Sequence, residues 1–398
     1  MAISRVGTER PGIAQRALDA RRSAIREVFD AANRVPGAIR LEIGEPSFRT
    51  PRFIVDAALE AAAAGFTRYT PNGGYLPLRE ALAEKIQRVD GYAVDPDSVV
   101  VTPGAMNALF SIYLALLEPG DEVLLPTPGF PNMDEMVRLL GGTPVFYRLE
   151  RALGFVPSVA EVEALVTSRT KAIFVNTPGN PTGAVFPADT VRALGELAAE
   201  RGFWLIADEV YDELILDDEL AHAAAAALVP GAPVVSVYSF SKVYAMTGWR
   251  LGYCAAPPEL AAVLRKLQEP EVSCPSAVSQ KAAEAALRGP RDEIDAMRVA
   301  YRERRDRAVE VAAAVGLDVF RTQGTFYMLV DIARSGCSAR DFTLRMLDDF
   351  HVAVAPGEVF GPGGEGLVRI SFACEPDELA EGMTRIAAAI ERYAADRG

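Results

Sequence analysis

Between residues 98 and 255, short runs of β-branched and aliphatic residues alternate with stretches whose apolar positions recur at helical spacing. Runs 98–102, 122–125, 144–148, 172–176, 204–207, 234–239 and 251–255 read as strands, and 105–117, 133–140 and 188–201 as helices between them. That alternation predicts βαβ units and an α/β fold, with a mostly parallel sheet of seven strands covered by helices on both faces. Residues 290–315, PRDEIDAMRVAYRERRDRAVEVAAAV, carry a long, charged, amphipathic helical pattern that leads into a second unit from Arg291 to the end. Residues 21–33 are also helical in period and stop at the breaker-rich NRVPG.

In open parallel sheets, ligands gather at the carboxyl ends of strands, so unusual polar residues there are informative. Run 98–102 ends in Pro103-Gly104, and a helix begins near Ala105; the free N–H groups of a helix start suit a phosphate. After run 172–176 comes TPGNPTG, in which Asn180 either caps its own turn or points into a cleft. After run 204–207, Asp208 needs a cationic or N–H partner if buried, and Tyr211 follows three residues on; Glu209 and Asp212 are expected to face solvent. In SFSKVYAMTGWRLGY, a spacing of two places Ser239 and Ser241 on one strand face. Lys242 and Arg250 follow. An arginine grips phosphate with a planar fork, whereas a desolvated lysine can lose its proton and act as a nucleophile.

Composition narrows the classes. The chain has 398 residues, with 41 basic against 54 acidic and a formal net charge of −13, which argues against a nucleic acid or an anionic membrane as the main partner. The longest apolar stretches, such as 223–229, fall well short of the roughly 20 residues a membrane span needs. MAISRVGTERPG has no apolar leader core. Four scattered cysteines without a CxxC pair, and only His222 and His351 besides, argue against a zinc site and for reduced thiols in a cytoplasmic protein.

Taken together, GEPSFRTP, RYTPNGGYLPLREALA, NTPGNPTG, ADEVY, SFSKVYAMTGWRLGY and LVRISFA resemble the fold-type I, pyridoxal-phosphate-dependent aminotransferases of class I/II. The resemblance runs from about residue 43 to near the C-terminus. It implies a large cofactor-binding domain over 51–290, and a smaller α+β domain built from 1–50 and 291–398. It also implies transfer of an amino group from an L-amino acid to a 2-oxo acid by a ping-pong mechanism through a Lys242 Schiff base.

The residues that match the family's motifs take their roles from the resemblance. Lys242 would hold the cofactor aldehyde and shuttle a proton between substrate and cofactor. Asp208 would pair with the pyridine nitrogen, Asn180 and Tyr211 would bond the ring oxygen, and Phe130 would stack on the ring. Ser239, Ser241, Arg250, the Gly104 turn and the N–H groups of Ala105 and Met106 would hold the phosphate. Tyr69 would reach the phosphate of a neighbouring subunit, which implies a homodimer with shared sites. Arg369 would clamp the substrate α-carboxylate beside the backbone of Gly44, with Asn180 alongside.

Two features depart from some relatives. Met133 stands where they place a histidine supporting the aspartate. The segment LQEPEVSCPSAVSQ lacks the arginine that reads a dicarboxylate side chain, although Arg265 and Lys266 precede it and Arg10, Arg16, Arg21 and Arg22 lie near the N-terminus. A neutral or aromatic amino donor is therefore expected rather than aspartate. The same apparatus serves C–S β-lyases, cyclising synthases and oxidases, which remain the alternative chemistry. A regulator built on this domain is the remaining alternative, but with GEPSFRTP beginning at residue 44 the sequence leaves no room for an N-terminal DNA-binding domain.

Overall fold

The computed structural model describes residues 12–21 and 24–396. After a two-residue strand β1 (Ile39–Arg40), the chain builds seven strands that form one sheet: β2 (Val99–Thr102), β3 (Glu122–Thr127), β4 (Thr143–Arg148), β5 (Thr170–Asn176), β6 (Trp204–Asp208), β7 (Val234–Ser239) and β8 (Gly252–Ala255). Their order is β2-β8-β7-β6-β5-β3-β4. Neighbours from β7 to β4 run parallel, and β8 runs antiparallel to both β7 and β2. The expected mostly parallel seven-stranded sheet is present.

Apolar side chains cover both faces of this sheet, as continuous apolar strands require. Leu109, Ile112, Val137 and Leu264 pack on one face. Val162, Leu194, Leu197 and Phe203 pack on the other. A third cluster carries Tyr301 of helix Asp292–Val315 and Met383 and Ile386 of helix Pro376–Ala395 against the edge of the sheet.

The last third of the chain adds β9 (Tyr327–Asp331), β10 (Val352–Ala353), β11 (Ala355–Pro356) and β12 (Leu367–Ser371). β9, β12 and β11 make a small antiparallel sheet, while β10 pairs in parallel with β1. Residues near the start of the chain therefore share a sheet with residues more than 300 positions later.

Three local expectations are corrected. The helical pattern predicted over 21–33 forms Ala24–Ala32, preceded by a separate turn of helix at Gln15–Leu18. The predicted strand 251–255 begins at Gly252, one residue later. Ser239 and Ser241 do not share a strand face. β7 ends at Ser239, whose side chain caps the short helix Phe240–Val243 by accepting from Ser241 N–H at 3.0 Å. A serine at that position satisfies an orphan N–H better than a further strand residue could, so the chain turns there. Among the described residues no helix is long and apolar enough to cross a membrane, and no His/Cys/Asp/Glu cluster has metal-binding geometry.

Candidate functional site

The carboxyl ends of β5, β6 and β7 meet the Gly44 loop and β12 around a cavity of about 570 Å³. It is lined by every site residue named from the sequence except Gly104 and Tyr69. Lys242 follows directly from the Ser239 cap. It is half-buried, its Nζ donates to the Gly44 carbonyl at 2.6 Å, and it lies 5.7 Å from the Phe326 ring centroid.

Asp208 closes β6 and is 5% exposed. Asn176 Nδ2 donates to its carbonyl at 3.0 Å, but the carboxylate Oδ1 has no hydrogen-bond partner. Burial pushes its pKa up to about 7; the Val210 N–H pulls it back, Glu209 adds repulsion, and the positive charge of Lys242 pulls the other way. The Val210 N–H satisfies only part of this buried acid, and Oδ1 still calls for a cationic or N–H partner. Met133 is fully buried and takes the Tyr113 hydroxyl on its sulfur at 3.9 Å, so the thioether offers Asp208 nothing.

Asn176 also fixes the next loop, since its Oδ1 accepts from Asn180 N–H at 2.8 Å. The Asn180 side chain in turn accepts from Arg369 Nη1 at 3.0 Å, and Arg369 Nη2 donates to the Glu42 carbonyl at 2.8 Å. Arg369 is 2% exposed, its Nε is unpartnered, and its guanidinium sits 4.2 Å from the Tyr327 ring centroid. Burial lowers its pKa, against the pull of Tyr327, Tyr211 and Glu42.

On the opposite side, Gly104 caps helix Ala105–Leu116 with φ +83°, a conformation that favours glycine. Although it does not line the cavity, a Cβ there would lie 2.6 Å from Arg250 Nη2, so the missing side chain lets the guanidinium approach the start of the helix. Arg250 is exposed and donates to the Thr247 carbonyl at 3.0 Å. With Ser239, Ser241 and the N–H groups of Ala105 and Met106 it contributes a rim of donors to the cavity lining. Phe130 is half-buried on the cavity wall.

Tyr69, expected to serve a neighbouring subunit, is 90% exposed and does not line this chain's own cavity. Other expectations do not hold. Glu209 and Asp212 do not face solvent: they are 1% and 7% exposed. The strand period turns Glu209 to the face opposite Asp208, where it accepts from Ala225 N–H at 3.0 Å and lies 3.6 Å from His222 Nε2. Asp212 pairs with the buried Lys85, which also reaches Asp90 at 3.2 Å. Arg265 is tied to the Asp97 carbonyl, and neither it nor Lys266 lines the cavity; nor do Arg16 and Arg21, while Arg10 and Arg22 lie outside the described residues.

Sequence reading missed Tyr327, Asn176, Glu42 and Arg26, all on the cavity wall. Asn176 was detectable as a polar residue ending an apolar strand. Tyr327, in GTFYMLVD, gives no such signal.

A family model described as aminotransferase class I and II matches residues 36–386. The aspartate/prephenate aminotransferase of Thermus thermophilus is 38% identical, covering 89% of this chain and 91% of its own. Aromatic-amino-acid aminotransferase 2 of Thermococcus litoralis is 37% identical, covering 92% and 94%. The solved structure of an alanine aminotransferase from Pyrococcus furiosus superposes with a TM-score of 0.90 at 32% identity, covering 96% of this chain and all of the other.

Proposed function

Because this chain belongs to the class I and II aminotransferase family, pyridoxal-phosphate enzymes of fold type I, we propose the following roles for its residues. The cavity suits that cofactor on its own chemistry. Asp208 Oδ1 is buried without a partner, as a site for a protonated ring nitrogen requires, and the bare Gly104 turn beside Arg250 suits a phosphate. When bound, the cofactor supplies an electron sink for the pair released on breaking the substrate Cα–H bond.

Lys242 would hold the cofactor aldehyde, and its amine would serve as the acid and base that moves a proton at the substrate Cα. Its reach to Gly44 O supports this, since that contact places the amine where the substrate's α-carbon and carboxylate must also sit. Asp208 keeps the ring nitrogen protonated. Asn180 and Tyr211 would donate to the ring oxygen, Phe130 would pack on the ring, and Ser239, Ser241, Arg250, Ala105 N–H and Met106 N–H would hold the phosphate. Arg369 and the Gly44 backbone fix the α-carboxylate, with the unpartnered Nε and the polarised fork of Arg369 left for it. The reaction runs as ping-pong: the donor leaves as its oxo acid, and a second oxo acid takes up the amino group.

The working unit is a cytoplasmic homodimer in which the exposed Tyr69 of one copy completes the phosphate site of the other. Residues 1–50 and 291–398 act together as the small domain and 51–290 as the large one, a division supported by the β1–β10 pairing. The donor carries a neutral or aromatic side chain. Ile25 and Phe29 wall the outer cavity, and Arg26 there lies 4.5 Å from the Phe29 ring centroid and 3.5 Å from Asp30, which leaves it paired.

The observation that carries this reading is the unpartnered Asp208 Oδ1 in a cavity that Lys242 and Arg369 also line. A panel of amino donors and oxo-acid acceptors tests it, with ammonia measured in parallel. Transfer to an acceptor without ammonia is expected; ammonia and pyruvate release would mark a lyase instead. A preference for aspartate of about a hundredfold over every neutral donor would overturn the donor assignment.

A further inference from the structure

We infer that Tyr327 is a positioning residue joining the two halves of this site, holding the Tyr211 phenol on the cofactor side with its hydroxyl and the Arg369 clamp on the substrate side with its ring. The inference rests on the roles proposed above for Tyr211 and Arg369, and assigns a new role to a residue that the family motifs quoted above did not include.

The geometry follows from strand register. β9 and β12 pair antiparallel, with Arg369 opposite Leu329 and Ser371 opposite Tyr327. Tyr327 is therefore the diagonal neighbour of Arg369 on the same sheet face, within reach of long side chains. The result is a guanidinium 4.2 Å from the ring centroid, with both side chains almost wholly buried. A cation over an aromatic face is worth most where water is excluded. The ring also holds the plane of the fork, which must stay fixed to meet a carboxylate with two parallel N–H groups.

The hydroxyl faces the other half. Tyr211 Oη donates to Tyr327 Oη at 3.2 Å, and the two rings meet nearly edge-on, with centroids 6.0 Å apart at 82°. Burial raises the Tyr211 pKa, and Tyr327 beside it raises it further. Tyr211 has a single hydroxyl proton. Once the cofactor's ring oxygen competes for it, the Tyr327 hydroxyl can turn and donate to Tyr211 instead. A phenol that accepts a hydrogen bond is a stronger donor in its own right, because linked hydrogen bonds polarise one another. Tyr327 thereby strengthens whatever Tyr211 donates to.

Gly44 completes the arrangement. A Cβ on Gly44 would collide with the Tyr327 hydroxyl, and the Gly44 carbonyl is the acceptor for Lys242 Nζ at 2.6 Å. The absence of a side chain at residue 44 thus makes room for the Tyr327 hydroxyl next to the reactive lysine. Tyr327 touches the neighbours of the proton carrier, the ring-oxygen donor and the carboxylate clamp at once.

Two substitutions separate the two functions. Tyr327→Phe keeps the ring and removes the hydroxyl; Tyr327→Leu removes both. Each is loaded with pyridoxal 5′-phosphate, and two quantities other than turnover are measured. One is the pH midpoint of the cofactor's visible absorption without substrate. The other is the affinity for 3-phenylpropionate, a carboxylate that cannot react. Circular dichroism of the cofactor-free proteins checks folding, and Tyr327→Met replaces the Leu variant if that one does not fold. In Tyr327→Phe the midpoint should rise by about half a pH unit, in the same direction as in Tyr211→Phe but by less, with carboxylate affinity within about twofold of the parent. In Tyr327→Leu the midpoint should rise and carboxylate affinity should fall about fivefold or more.

An unmoved midpoint in Tyr327→Phe, with Tyr211→Phe shifted, would overturn the hydroxyl role. Unchanged carboxylate affinity in Tyr327→Leu, with Arg369→Ala weakened, would overturn the ring role. If Tyr211→Phe and Arg369→Ala themselves leave both quantities unchanged, it is the underlying site reading that fails.

Discussion

Arg369 Nη1 donates to Asn180 Oδ1 at 3.0 Å, so the arginine proposed to hold the substrate is fastened to a residue proposed to hold the cofactor. This contact also orients the Asn180 amide. With Oδ1 occupied, the NH₂ group is left as the donor, as bonding to a ring oxygen requires. The two recognition tasks are therefore coupled through one side chain.

Arg369→Ala is expected to lower kcat/KM about 10- to 100-fold, mostly through KM, by removing charge-assisted bonds to the α-carboxylate. The loaded enzyme should keep its visible cofactor band with at most a small shift, because the Asn180 main chain stays tied to Asn176 while its amide loses only the Arg369 contact. Steady-state kinetics with absorption spectra of the same preparation check both halves. A retained KM would remove Arg369 from the clamp.

The orphaned Asp208 predicts a pH signature in the cofactor-free protein. Its pKa is about 7 folded against 3.8 for the free side chain, raised first by burial. The folded state thus binds the proton more tightly. The stabilising contribution is complete below about 3.8 and is lost as pH rises to about 7, at up to about 1.4 kcal/mol per pH unit. Thermal melts should show the cofactor-free parent losing stability relative to Asp208→Asn as pH climbs from 4 to 7. Parallel pH profiles for the two proteins would contradict the buried, unpaired carboxylate.

Behind the site, Glu209 and His222 predict a second, distinguishable profile. For His222 burial works against the charged ring, but Glu209 outweighs it and raises the pKa above 6.5. For Glu209 burial is again the largest effect and opposes charge, yet His222 and further hydrogen bonds hold the pKa below 4.5. The histidine contribution is present below 6.5 and lost as pH rises through the raised value. The glutamate contribution is present above 4.5 and lost as pH falls through the lowered value. A double-mutant cycle of Glu209→Gln and His222→Gln should give a coupling of about 1–3 kcal/mol near pH 6, shrinking at alkaline pH. A coupling independent of pH would mean that the pair is not ionic.

Tyr69 carries the prediction about assembly. Mixing Lys242→Ala subunits with Tyr69→Ala subunits should yield hybrids in which one site has both an intact lysine and an intact tyrosine from the other copy. Activity of the mixture should exceed the sum of its parts, and sedimentation should give a dimer. If Tyr69 served only its own chain, mixing would restore nothing.

Much of this arrangement was legible in the sequence because it is built from local signals. Apolar runs ending in Asn176, Asp208 and Ser239 marked the strand ends, and adjacent strands in a parallel sheet bring such ends together. What was hidden depended on partners distant in sequence. Glu209 and Asp212 looked like solvent-facing acids, but Glu209 is met by His222 across an intervening loop, and the cation beside Asp212, Lys85, belongs to helix Leu76–Val89 more than 120 residues earlier. Tyr327 looked like one more aromatic in an apolar strand. Its importance comes from the β9–β12 register and from Tyr211, 116 residues away. Ser241 was misplaced because the period of two was carried two residues beyond the cap that ends the strand.

The central claim is that Lys242 is the residue that holds the cofactor in this cavity. Borohydride reduction of the protein loaded with pyridoxal 5′-phosphate, followed by digestion and mass spectrometry, tests it directly. The predicted result is one cofactor-sized mass addition per chain, on the peptide containing Lys242, absent from Lys242→Ala, whose turnover should fall by about 10²–10⁴-fold or more. Label on another lysine, or full turnover in Lys242→Ala, would contradict the account.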